Sequence, residues 1–96
     1  MMKNLNFENI FKAEIYINII SFFHENQGSI DTPRGVSAWT GCKRNTVEKA
    51  LGDLAKIGIL VAHPVSSTTG YSYTQDPKII KTIDKRLKLL KKRRLK

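Results

Sequence analysis

Residues 36–60 read VSAWTGCKRNTVEKALGDLAKIGIL, and their pattern decides how the rest of the chain is organised. Gly41 can take the positive φ that ends a helix, and the apolar pattern restarts directly after it. Ser37 lies four residues before this glycine and Val47 six after it. Between Arg44 and Ile57, the residues Val47, Ala50, Leu51 and Leu54 recur with helical period. That leaves Asn45, Glu48, Lys49, Gly52 and Lys56 on the other side, which makes this helix amphipathic. Gly58 supplies a second stop, and Ile59-Leu60-Val61-Ala62 is a short β-prone run closed by His63-Pro64. Lys43 stands where a capping Ser or Thr often begins a helix, so the start of this helix can shift by a residue.

Upstream, Thr32-Pro33 combines an N-cap hydroxyl with proline at the first helical position, predicting a short helix that ends at about Thr40. Val36, Ala38 and Trp39 are its core candidates, with Arg34 in its first turn. Asn26-Gln27-Gly28-Ser29 breaks the chain before it. A first helix is expected over residues 7–24, where Phe7, Ile10, Phe11, Ile15, Ile19 and Phe22 fall at three- and four-residue spacings. Ile17, Ile20 and Phe23 add apolar groups on its other side, as a central core helix requires. Downstream, the turn cluster Ser66–Gly70 and the alternating Tyr71-Ser72-Tyr73-Thr74 complete a β-hairpin. Asp76-Pro77 opens a last helix with no further Gly or Pro, in which Ile80, Ile83, Leu87 and Leu90 are spaced three, four and three. No internal repeat is present.

The 96 residues, 10.9 kDa in mass, suffice for one small core. An apolar fraction of 41% and a mean hydropathy of −0.31 fit a folded chain rather than a disordered one. Cys42 is the single cysteine, so an intrachain disulfide is excluded; its place after the turn glycine reads as packing. His24 and His63 lack spaced partners, no Gly-rich phosphate loop follows a strand, and the acids are scattered, so neither catalysis, nor a metal, nor a cofactor is expected. Residues 15–23, the longest apolar stretch, fall well short of the roughly 20 needed to span a bilayer, and no targeting pattern opens the chain, so a cytoplasmic protein is expected.

Charge is unevenly placed. The formal net charge is +9, yet residues 76–96 hold ten basic and two acidic groups, leaving residues 1–75 nearly neutral. Within the latter, Arg34, Lys43, Arg44, Lys49 and Lys56 cluster near the middle. Such a balance points to a polyanionic partner, nucleic acid or an anionic membrane surface.

The order helix, helix, short turn, helix, hairpin, together with residues 36–60, resembles the winged helix-turn-helix of MarR-like and related bacterial and archaeal regulators. The resemblance covers about residues 7–74, and its specific part is the quoted stretch with Ser37, Gly41, Val47 and Gly58-Ile59-Leu60. It implies a mainly α fold with a small β-hairpin: a three-helix core plus wing over residues 1–75, then a long C-terminal helix over 76–96. It also implies double-stranded DNA as the partner, because a major groove about 12 Å wide admits one α-helix. By this resemblance the third helix, about residues 44–57, presents Lys43, Arg44, Asn45, Glu48 and Lys49 to the groove, with Thr46 near the phosphates. Arg44 suits guanine and Asn45 adenine, while Lys43 and Lys49 suit base or phosphate. Arg34 and, in the wing, Thr69 are phosphate candidates. Against this stands the ordinary observation that exposed Lys and Arg on an amphipathic helix are most often simply solvated, and that the wing tip carries no Lys or Arg.

Three readings of the last helix stay open: Ile80, Ile83, Leu87 and Leu90 form a homodimer seam, or they cover the first helix of their own domain, while the basic end, residues 91–96, binds DNA nonspecifically, contacts RNA, lies on an anionic membrane or, as most charge runs do, is only a solvated tail. The overall expectation is a homodimeric transcriptional regulator. A plasmid or viral DNA-maintenance factor and a protein–protein interaction module are the alternatives.

Overall fold

The computed structural model describes residues 10, 11 and 13–94. Among these residues four helices and three short strands follow in the order α1 (Glu14–Glu25), β1 (Ile30–Asp31), α2 (Pro33–Thr40), α3 (Arg44–Lys56), β2 (Leu60–Pro64), β3 (Thr69–Tyr73) and α4 (Pro77–Arg94). The core gathers one face of each helix and the inner side of the sheet: Ile19, Ile20 and Phe23 from α1, Val36 from α2, Val47, Leu51 and Leu54 from α3, Leu60 and Tyr73 from the strands, and Ile83 from α4.

The helix expected over residues 7–24 is interrupted among the described residues: Ile10 is helical, Phe11 lies in a turn, and α1 begins at Glu14. Ala13 is extended (φ −104°, ψ 129°) and caps α1 without a side-chain bond, while Ile10 and Phe11 are both buried. Adjacent residues on one straight helix point about 100° apart, so a bend before Glu14 lets both enter the core. Phe7 lies outside the described residues.

The short α2 ends as expected, with Gly41 at φ 75° donating its N–H to Ser37 O at 3.0 Å. Its inward face is narrower than expected. Only Pro33 and Val36 are buried; Ala38 is exposed and Trp39 is 41% exposed. Trp39 instead lies on Phe22, with ring centroids 4.6 Å apart, and its indole N–H donates to Asp31 at 3.0 Å.

The hairpin forms as read, Leu60 opposite Tyr73 through Pro64 opposite Thr69, with Val65 N–H closing the tip on Thr68 O. An unexpected third strand joins it. Ile30 and Asp31 pair antiparallel with Ser72 and Tyr71, giving the order β1-β3-β2. Two residues carry too little alternation to announce a strand; the pairing places Asp31 where it accepts from both Thr32 N–H and Trp39.

Helix α4 packs along α1. Ile83 is fully buried in the chain's own core, and Ile80, Leu87 and Leu90 are partly buried against it. A polar latch reinforces the contact. His24 of α1 bonds through Nδ1 to the buried Tyr73 hydroxyl at 2.9 Å and through Nε2 to Asp84 of α4 at 3.1 Å, and Lys88 pairs with the same carboxylate at 3.1 Å. Burial, then the Asp84 charge, pushes the Tyr73 phenol well above its ordinary range. The hydrogen bonds from Lys88 and His24 hold Asp84 below the usual carboxylate value.

Candidate nucleic-acid interface

The turn between α2 and α3 is fixed by side chains as well as by its glycine. Ser37 Oγ donates to Cys42 O at 2.6 Å, Thr40 Oγ1 donates to Val36 O at 2.8 Å, and the same Thr40 oxygen accepts from Cys42 N–H at 3.2 Å. At the start of α2, Thr32 Oγ1 accepts from Gly35 N–H at 3.2 Å, as an N-cap should. Cys42 is half-buried against the core. With Val47, Ala50, Leu51 and Leu54 buried, the rotation of α3 is set and its opposite face is turned to solvent.

That face carries most of the candidates. Lys43, Arg44, Asn45, Thr46, Glu48 and Lys49 are all exposed, as is Arg34 in the first turn of α2. Lys43 is the N-cap of α3 and makes no side-chain cap bond. Arg44 Nε lies 3.7 Å from Glu48, a loose pair one helical turn long with both side chains more than half exposed. Surface pairs of this kind are worth little, so either side chain can be drawn to another partner. Thr69 stands apart from this group: it is half-buried at the start of β3, opposite Pro64. In the wing His63 Nε2 bonds to Ser72 Oγ at 2.7 Å.

Lys49 is held at its tip. Its ammonium reaches Asp53 at 2.8 Å, one turn on, and the same carboxylate oxygen accepts from the Tyr16 hydroxyl of α1 at 2.7 Å. Burial by itself would raise the Asp53 pKa. The bonds from Lys49 and Tyr16 and the charges of Lys49 and Lys56 outweigh it, and the net direction is down. Burial, then the bond and charge of Asp53, pushes Tyr16 up to about 12. Sequence reasoning passed over this trio. The i, i+4 spacing of Lys49 and Asp53 was visible, but nothing in the chain pointed Tyr16 at them across 37 residues.

Gly52 sits midway along the exposed face. A Cβ there would meet nothing within 4 Å. The outer surface of α3 is thus a row of Asn45, Lys49 and Lys56 with a gap at Gly52, flanked by Arg44 and Glu48.

The chain matches no family model and no curated protein sequence. Solved structures do resemble it. HlyU from Vibrio cholerae N16961 superposes with a TM-score of 0.68 over 85% of both chains at 12% identity. AntR, an antimony-specific transcriptional repressor, gives 0.68 over 99% of this chain and 91% of its own at 16% identity. Rv0081 of M. tuberculosis gives 0.67 over 88% and 85% at 19% identity. The chain therefore has a winged helix-turn-helix fold: α2, the locked turn and α3 form the helix-turn-helix, and β2 and β3 form the wing. The likeness is one of fold and does not single out the MarR-like group. No helix among the described residues is long and apolar enough to cross a membrane.

Proposed function

We propose that this protein is a sequence-specific, double-stranded DNA-binding transcriptional regulator that inserts α3 into the major groove. The observation that carries the reading is the exposed face of α3, where Arg44, Asn45, Glu48 and Lys49 project from a helix whose rotation the core and the bonded turn hold rigid. A fork of guanidinium donors matches guanine O6 and N7, and a carboxamide matches adenine N6 and N7. Glu48 in its loose pair with Arg44 is placed to accept from cytosine once Arg44 turns to a base. Arg34 and Lys43 supply phosphate contacts, with Thr46 beside them and Thr69 as a minor one in the wing. AntR, named as a transcriptional repressor, supports the regulator reading by its fold. Its antimony specificity does not transfer: soft ions of that kind are held by clusters of thiolates, and this chain has one cysteine. No catalytic role is proposed, and the cytoplasm is the expected compartment.

The proposal includes a homodimer through α4, which would present two copies of α3 to half-sites about one DNA turn apart. Ile83 is already enclosed by its own protomer, so Ile80, Leu87 and Leu90 remain for the seam. Two of them border a cleft of about 220 Å³ between α1 and α4, whose walls include Ile17, Leu87 and Leu90.

Selection from a random duplex library tests the reading. The intact chain is expected to enrich a two-fold site, and the Arg44→Ala/Asn45→Ala variant to lose that preference while keeping its fold. Enrichment of tandem direct repeats would favour a DNA-maintenance role. Failure to enrich any site would remove the base-reading role of α3.

A further inference from the structure

The charge that dominates this protein lies on a different helix from the one proposed to read bases. Lys78, Lys81, Lys85 and Lys88 of α4 are all exposed, at spacings of three, four and three. On an α-helix that spacing draws one straight stripe, about 15 Å long at roughly 1.5 Å per residue. The sequence continues with Lys91, Lys92, Arg93, Arg94 and Lys96. The acids of α4's segment leave three of these lysines unpaired, and only Lys88 is matched, by Asp84. Asp76 accepts the Lys78 backbone N–H at 2.9 Å, and Asp84 binds His24 and Lys88. Among the described residues no carboxylate pairs with Lys78, Lys81 or Lys85.

We infer that the outer face of α4 is a second, sequence-independent binding surface for the phosphate backbone of duplex DNA. Phosphates recur about every 3.4 Å of helix axis along one strand, so a stripe of this length faces roughly four of them. A membrane surface fits less well. A helix that lies on lipid buries an apolar face there, and the apolar face of α4 packs on the chain's own core through Ile83 and partly through Ile79, Ile80, Leu87 and Leu90, the last three being those proposed for the seam, with Leu89 the one exposed large apolar residue of the helix among the described residues. The stripe is also separate from α3. Helix α1 meets α3 through Tyr16 and α4 through His24, so the two surfaces belong to different helices joined through α1. In this proposal one molecule holds a specific site and a second DNA segment together. This surface does not depend on α3 reading bases.

The test is the salt dependence of binding to a random-sequence duplex, using the full chain, a Lys78→Gln/Lys81→Gln/Lys85→Gln variant and the Arg44→Ala/Asn45→Ala variant. Each lost phosphate contact lowers the slope of log K against log salt by about 0.9, so the lysine variant should lose about 2.7. The same variant should fail to capture a second, labelled duplex on immobilised DNA, with an unchanged circular dichroism spectrum. Should it misfold, Lys81→Gln/Lys85→Gln should lose about 1.8. An unchanged slope, or second-duplex capture that survives loss of the stripe, overturns the inference. So does tighter, stripe-dependent binding to phosphatidylserine vesicles or to duplex RNA than to duplex DNA.

Discussion

Gly41 and Gly52 lie on the same helix-turn-helix and respond to the same substitution in opposite directions. At Gly41 the backbone is left-handed, with φ at 75°. A side chain in that conformation costs roughly 1–2 kcal/mol whatever the space around it. At Gly52 the backbone is helical and nothing lies within 4 Å of a new Cβ. Alanine there should add roughly 0.5–1 kcal/mol. Thermal or urea unfolding of Gly41→Ala and Gly52→Ala should therefore move to opposite sides of the parent chain. Because the Gly52 methyl touches nothing in the free protein, a loss of DNA affinity in that variant reports an approach of DNA to this face. Asp53 makes a pH-dependent contribution. Its folded-state pKa is depressed, so it stabilises the fold above the ordinary carboxylate value of 3.8 and loses that effect as pH falls through the lower folded-state value. Asp53→Asn should lower the melting temperature at neutral pH, and the gap from the parent should close as the pH drops through this acid window. A gap that persists unchanged to the acid end would mean that the charge on Asp53 is not what Tyr16 and Lys49 recognise.

At the scale of elements, the readable parts of the chain were those with a local cause. Thr32-Pro33 opens α2, Gly41 closes it, and the period of Val47, Ala50, Leu51 and Leu54 places α3 to within a residue or two. The exposed candidates on α3 follow from that period, since fixing the buried face fixes the opposite one. What escaped was decided by distant partners. Strand β1 exists because β3 offers it an edge, the start of α1 because Ile10 and Phe11 both enter the core, and the place of Trp39 because Phe22 and Asp31 receive it. Helix α4 shows the same limit: its heptad spacing fitted both a seam and a lid, and Ile83 lies in the chain's own core. Ile83→Ala should cost about 2–5 kcal/mol by removing a fully buried side chain. That loss should be independent of protein concentration. If it vanished on dilution, Ile83 would be acting between subunits instead.

For the whole molecule, the proposed layout separates reading from holding. Helix α1 contacts both the helix-turn-helix, with its directional donors and acceptors, and the strongly basic α4. Phosphate attraction sets how tightly such a protein binds DNA, and base edges set where. The most direct measurement is made on the duplex recovered by selection, with its purines replaced one at a time by 7-deaza analogues, which lack the N7 acceptor of the major groove but still pair. If α3 lies in that groove, binding should weaken by about 1–3 kcal/mol at the purines met by Arg44 and Asn45, and the Arg44→Ala/Asn45→Ala variant should no longer sense them. If no purine in the site responds, α3 does not read the major groove.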